Sequence, residues 1–91
     1  MQSEYALITL LFDEFSQSGV RVFAEKKSVG FEEMLRAEQL GYKAKFKLIV
    51  NDFEYNGEQV VVLDNVRYYI YRTYNAGGGK TELYVESKLG I

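Results

Sequence analysis

One stretch of helical periodicity interrupts a chain that otherwise repeats with the period of a β-strand. In residues 28–41, Phe31, Met34 and Leu35 recur at helical spacing and Gly41 closes the run. Ser28 suits the N-cap, Glu32 and Glu33 suit the positive end of the helix dipole, and Gly41 suits the left-handed position beyond the C-terminus. The apolar stripe breaks at Glu38, and Leu40 falls on the opposite side. The pattern predicts a short helix that Phe31, Met34 and Leu35 anchor to a core. Its distal part, from Arg36 to Gly41, would stay mobile until it meets a partner.

Around this helix the strand signals are regular. Residues 5–12 are apolar and rich in β-formers, residues 13–19 read as a connection, and residues 20–25 place Val20, Val22 and Ala24 on one face. Residues 43–50 alternate, with Ala44, Phe46, Leu48 and Val50 on one side and Lys43, Lys45, Lys47 and Ile49 on the other. Asn56-Gly57 marks a turn, residues 59–63 a short strand, and Asp64-Asn65 a second turn. Residues 66–74 carry aromatics on both faces, which predicts that both faces are partly covered. Residues 75–79 read as a loop and 81–87 as the last strand. The expected architecture is mainly β: a small antiparallel barrel or sandwich of about six strands with one inserted helix, because closure hides sheet edges.

Size and composition narrow the function. Ninety-one residues make a single domain, residues 1–91, with modest burial on folding. An apolar fraction of 47% argues against disorder. The chain has no cysteine and no histidine, which removes disulfides, thiolate metal sites and the usual general base. A carboxylate-only site remains open on composition, but most familiar hydrolase and transferase constellations cannot be built, and no cofactor or metal site is expected. A net charge of −2 gives no bulk attraction to nucleic acid or anionic lipid. No apolar run reaches membrane-spanning length, and the N-terminus lacks a basic signal region, so a cytosolic origin without membrane contact is expected.

Three motifs invite chemistry. Gly77-Gly78-Gly79-Lys80-Thr81 suggests a phosphate loop, but position 74 is tyrosine where the pattern needs glycine, and a strand pattern follows where a helix should open. It reads as a hairpin loop. Lys43, Lys45 and Lys47 with Tyr68, Tyr69, Tyr71 and Tyr74 could form a platform for single-stranded nucleic acid, the alternative function. The plainer reading is a solvated strand face beside a tyrosine-rich core. Asp52, Glu54 and Glu58 gather near Asn56-Gly57, yet their spacing matches no calcium loop and a solvated turn suffices.

Four segments stand in order: residues 5–10, residues 22–29 followed by Glu33, Arg36 and Ala37, residues 53–58, and residues 67–74 with 82–84. Together they resemble the head closure (head–tail connector, or stopper) proteins of long-tailed bacteriophages and related prophages. In turn they look like that family's opening strand, its second strand running into the short helix, its Tyr-x-Gly-Glu turn and its C-terminal hairpin. The 13–19 connection is shorter than the family's, and the glycine run is looser. The resemblance implies a non-enzymatic, structural virion assembly protein of the phage neck. Such proteins form a homo-oligomeric ring below the portal and adaptor proteins, close the DNA-filled head and offer the docking surface for the tail completion protein. Location would be the virion neck, and the host bacterial cytoplasm during assembly, with a monomer allowed when free. Packaged DNA would pass the channel without sequence-specific binding. By position, the channel or partner segment is Ser28, Glu32, Glu33, Arg36, Glu38, Gln39, Leu40 and Gly41. The candidate inter-subunit or partner loops are Glu54, Tyr55 and Glu58, and Gly77, Gly78 and Gly79.

Overall fold

Six strands and one helix form in the predicted order in a computed structural model that describes residues 4–87. The strands are β1 (Glu4–Leu11), β2 (Val20–Lys27), β3 (Ala44–Asn51), β4 (Val60–Leu63), β5 (Val66–Gly77) and β6 (Lys80–Glu86). The helix α1 (Phe31–Gln39) joins β2 to β3, and a single 3-10 turn, Asp52–Glu54, follows β3. All pairs are antiparallel, and the order β1-β2-β3-β6-β5-β4 closes on itself through β1 and β4. The fold is therefore a closed barrel, and every strand edge is paired around the ring.

Alternation fixes which side chains fill it. Ile8, Leu10, Val22, Ala24, Phe46, Leu48, Val50, Val61, Leu63, Leu83 and Val85 form one buried cluster. These are the inward members of each strand, and lysine stems and polar groups take the other face of β3. Lys26 is an inward position filled by a charge. Its ammonium lies 4.7 Å from the centroid of the Phe46 ring, so the alkyl stem packs while the cation meets the aromatic face. Val60 and Leu11 sit opposite each other outside that cluster and are also buried. The 12–19 connection covers them: Gln59 N–H donates to the carbonyls of Leu11 and Phe12, and Gly19 passes close to Leu10 and Leu11. A Cβ at Gly19 would stand 2.1 Å from the Leu10 carbonyl oxygen, so this crossing admits only glycine.

Two hairpin turns have the backbone their residues favour. Asp64 and Asn65 both have positive φ, 53° and 66°, between the paired Leu63 and Val66. Gly78 and Gly79, at 64° and 80°, turn between the paired Gly77 and Lys80. Both are two-residue loops of the kind that matches strand twist. β5 therefore runs to Gly77, beyond the predicted end at Tyr74, and the glycine run is a tight turn rather than a loose loop.

Candidate functional site: a helix clamped to the barrel wall

α1 begins at Phe31, after an extended Gly30 that makes no side-chain cap, so Ser28 is not the N-cap predicted for it. Its end is as expected. Gly41 has φ of +91°, Gly41 N–H donates to the Glu38 carbonyl, and Tyr42 N–H to the Ala37 carbonyl at 2.8 Å. This pair of bonds is a Schellman stop, which satisfies carbonyls the helix would otherwise leave open.

The anchoring face is the reverse of the one predicted. Phe31, Met34 and Leu35 are 73%, 48% and 44% exposed, and Ala37 is the one buried residue of the helix. Glu33 and Ala37, one turn apart, face the barrel instead. The small Ala37 lets the helix approach closely, while Glu33 supplies the fastening. Its Oε1 accepts from Arg72 Nη2 at 2.5 Å, and its Oε2 accepts from Arg72 Nε at 3.2 Å and from the Tyr71 hydroxyl at 2.6 Å.

A β-bulge makes this clamp possible. Ile70 pairs with Val85 and Arg72 with Tyr84, leaving Tyr71 as the extra residue in β5. In regular pleating, neighbours point to opposite faces. The bulge re-aims one of them, so Tyr71 and Arg72 both reach the outer wall and the same carboxylate. Aromatic contacts extend the network. Tyr42 stacks on Tyr71 with centroids 4.9 Å apart, and the Arg72 guanidinium lies 3.9 Å above the Tyr84 ring. The Tyr84 hydroxyl donates to Glu82 at 2.6 Å, and Lys47 pairs with the same residue at 3.5 Å.

The electrostatics follow. The Arg72 hydrogen bonds hold the Glu33 carboxyl below its ordinary range, against the desolvation that raises it, and Tyr71 lowers it further. Burial raises the Tyr71 phenol, and its bond to Glu33 raises it again. Burial also pushes the Tyr84 phenol up to about 12, with help from Glu82. Glu33 is thus a carboxylate and both phenols are neutral donors over the ordinary pH range.

Below the helix exit lies one conflict. Glu86 is 2% exposed; its Oε1 accepts from Lys43 N–H at 3.4 Å, and its Oε2 has no partner among the described residues. Through Lys43 this carboxylate ties the segment that leads out of α1 to β6.

Most of the predicted partner segment is exposed. Ser28, Glu32, Arg36, Glu38, Gln39, Leu40 and Gly41 are exposed, and Glu33 alone of that set is turned inward. The acidic turn is solvated as expected at Asp52 and partly at Glu54, but not at Glu58. Glu58 is buried and accepts from Asn56 N–H at 2.8 Å, Tyr55 donates to the Glu58 carbonyl at 2.6 Å, Glu54 accepts from Asn51, and Asp52 accepts from the Thr81 hydroxyl. Each carboxylate is used locally, and among the described residues no group of three acidic side chains is placed to hold a metal ion. Gly77, Gly78 and Gly79 lie at the far end of β5, away from the helix clamp.

Of the tyrosines set beside the lysine stripe, Tyr71 is covered by Tyr42, and Tyr68 meets Phe46 edge-on against the core. Tyr69 donates to Glu14, and Tyr74 is the exposed one. Arg72 is the participant that sequence reasoning missed. The adjacent Tyr71-Arg72 pair, in a strand with aromatics on both faces, was its only trace.

Fold and site together define a closed six-strand barrel with one external helix held by a charged clamp. Among the described residues, no helix is long and apolar enough to cross a membrane. Comparison with protein-family models, with curated proteins and with solved structures finds no match.

Proposed function

We propose that the chain is a structural assembly protein of a bacteriophage neck, a subunit of a ring that closes the filled head and receives the tail. The observation that carries this reading is the helix wall. A polar clamp holds α1 on the barrel while Phe31, Met34, Leu35 and Leu40 are left to solvent, as suits an element that completes its burial against other subunits. The four segments of the family resemblance add support: they occupy β1, β2 with α1, the turn before β4, and the β5–β6 hairpin. In this reading the apolar stripe of α1 meets a neighbouring subunit, and the rest of the Ser28 to Gly41 segment is free to face the channel or the adaptor. Tyr55 and Glu58, folded on each other, present one partner loop, and the Gly78-Gly79 turn presents the other.

The test is genetic. Deleting the reading frame from the phage should yield heads that package DNA but fail to retain it and carry no tails. Tailed, DNA-filled particles from the deletion would reject the neck reading. Single-stranded nucleic-acid binding has weaker support, because Tyr68, Tyr69 and Tyr71 are already engaged and Lys47 is paired with Glu82.

A further inference from the structure

Five of the six phenylalanines, Phe12, Phe15, Phe23, Phe31 and Phe53, are each at least 67% exposed. Scattered apolar residues on a surface are ordinary; contiguous ones mark contact sites. Two contiguous groups stand out. On β1 and β2, Leu7 lies directly opposite Phe23, with Tyr5 two residues along the same face, and all three are exposed. On α1, Phe31, Met34 and Leu35 form the outward stripe.

The barrel order sets where these groups lie. In the ring β1-β2-β3-β6-β5-β4, β1 is three strands from β6 and β2 is three strands from β5, whichever way the ring is followed. The helix is fastened to β5 through Tyr71 and Arg72. Its backbone comes closest to β3, so its stripe lies over the β3–β6–β5 side of the barrel, while the Leu7–Phe23 group lies on the β1–β2 side. Their continuations differ in charge. Glu38 extends the helix stripe, with Glu32 and Arg36 at its side, whereas Arg21 extends the Leu7–Phe23 face, followed along β2 by Glu25 and Lys27. One wall carries two carboxylates to one guanidinium; the other carries two cations to one carboxylate, and Lys27 and Glu25 lie 3.9 Å apart.

We infer that the outward stripe of α1 docks on the Leu7–Phe23 wall of a second copy of this chain, head to tail, with Glu38 facing Arg21. A closed barrel offers no strand edge, so copies must meet through side-chain faces. A different partner would cover one wall and leave the other bare, whereas a second copy covers both throughout the assembly. Unlike surfaces meeting in this way build a ring when the rotation closes and a filament when it does not. The inference rests on the neck reading only for closure into a ring. The contact itself belongs to the isolated chain, so it can fail while the deletion phenotype holds, and the reverse.

Sedimentation of the full chain and of Phe23→Asp and Phe31→Asp, up to about 1 mM, tests it, since that is the weak limit of specific association. The wild type should form concentration-dependent oligomers. Each variant alone should associate at least about tenfold more weakly. An equimolar mixture of the two should form 1:1 dimers and stop there, because each variant retains the wall the other has lost. Leu7→Asp and Leu35→Asp repeat the logic, and circular dichroism melting checks that every variant is folded. A wild type that stays monomeric, a mixture of folded variants that does not pair, or a Phe23→Asp variant that still assembles like the wild type would overturn the inference.

Discussion

The barrel interior and the helix wall solve the same problem by opposite means. Inside, burial is apolar, complete and spread over eleven residues from all but one of the strands, each one replaceable only at the cost of a cavity. On the wall, attachment is polar and concentrated in one carboxylate, two donors from a bulge and an alanine. The interior should define the fold; the wall should define what can move. An element held by a few polar contacts can open without unfolding its support, and it keeps its apolar side available while attached.

That contrast can be broken at several strengths. Leu83→Ala, in the center of the core, should cost about 2–5 kcal/mol in denaturant unfolding and should destabilise barrel and helix together. Gly19→Ala should cost roughly 1–3 kcal/mol, because its methyl meets the Leu10 carbonyl and the shift loosens the cover over Leu11 and Val60. A change there below about 0.5 kcal/mol would show that the 12–19 connection is not packed as described.

The clamp should yield smaller, local effects. Glu33→Gln should cost about 1–2 kcal/mol, discounted because Arg72 is partly exposed, and should register in the helix rather than in the strands. Acid should act on the same contact. Glu33 titrates below its ordinary 4.5 in the folded chain, so its contribution is full above that value and disappears as pH falls through the lowered one. Tyr71 is shifted the other way; its contribution is intact below 10 and is lost as pH rises through its raised value. Helix protection measured against pH should therefore fall away on the acid side, where Glu33 protonates, and Glu33→Gln should remove that edge. Met34→Gln should be the mildest change, within about 0.5 kcal/mol in the monomer. A loss near 2 kcal/mol would restore Met34 as an anchor.

The same division explains what was legible in the sequence. Strand identity and facing were readable because alternation is a local property: Phe46, Leu48 and Val50 are inside, as their spacing from Lys45 and Lys47 indicated. Gly41 was readable for a similar reason, since a left-handed stop demands little beyond its own residue. The helix stripe was also found correctly, but its direction was not. Which face turns inward depends on Tyr71 and Arg72, nearly forty residues away, and on a bulge that only the pairing of β5 with β6 creates. Periodicity finds a stripe; it cannot say whether a stripe faces a core or a partner. Glu58 failed in the same way, because a carboxylate in a polar run looks solvated until its turn folds back on it.

Hydrogen exchange at neutral pH, comparing the wild type with Arg72→Ala, tests the clamp most directly. The account predicts that amides of Met34 through Leu40 lose protection by about tenfold or more, equivalent to roughly 1.4 kcal/mol, while amides of β1, β2 and β4 keep theirs. Equal loss in the helix and in those strands, or no loss in the helix, would contradict it.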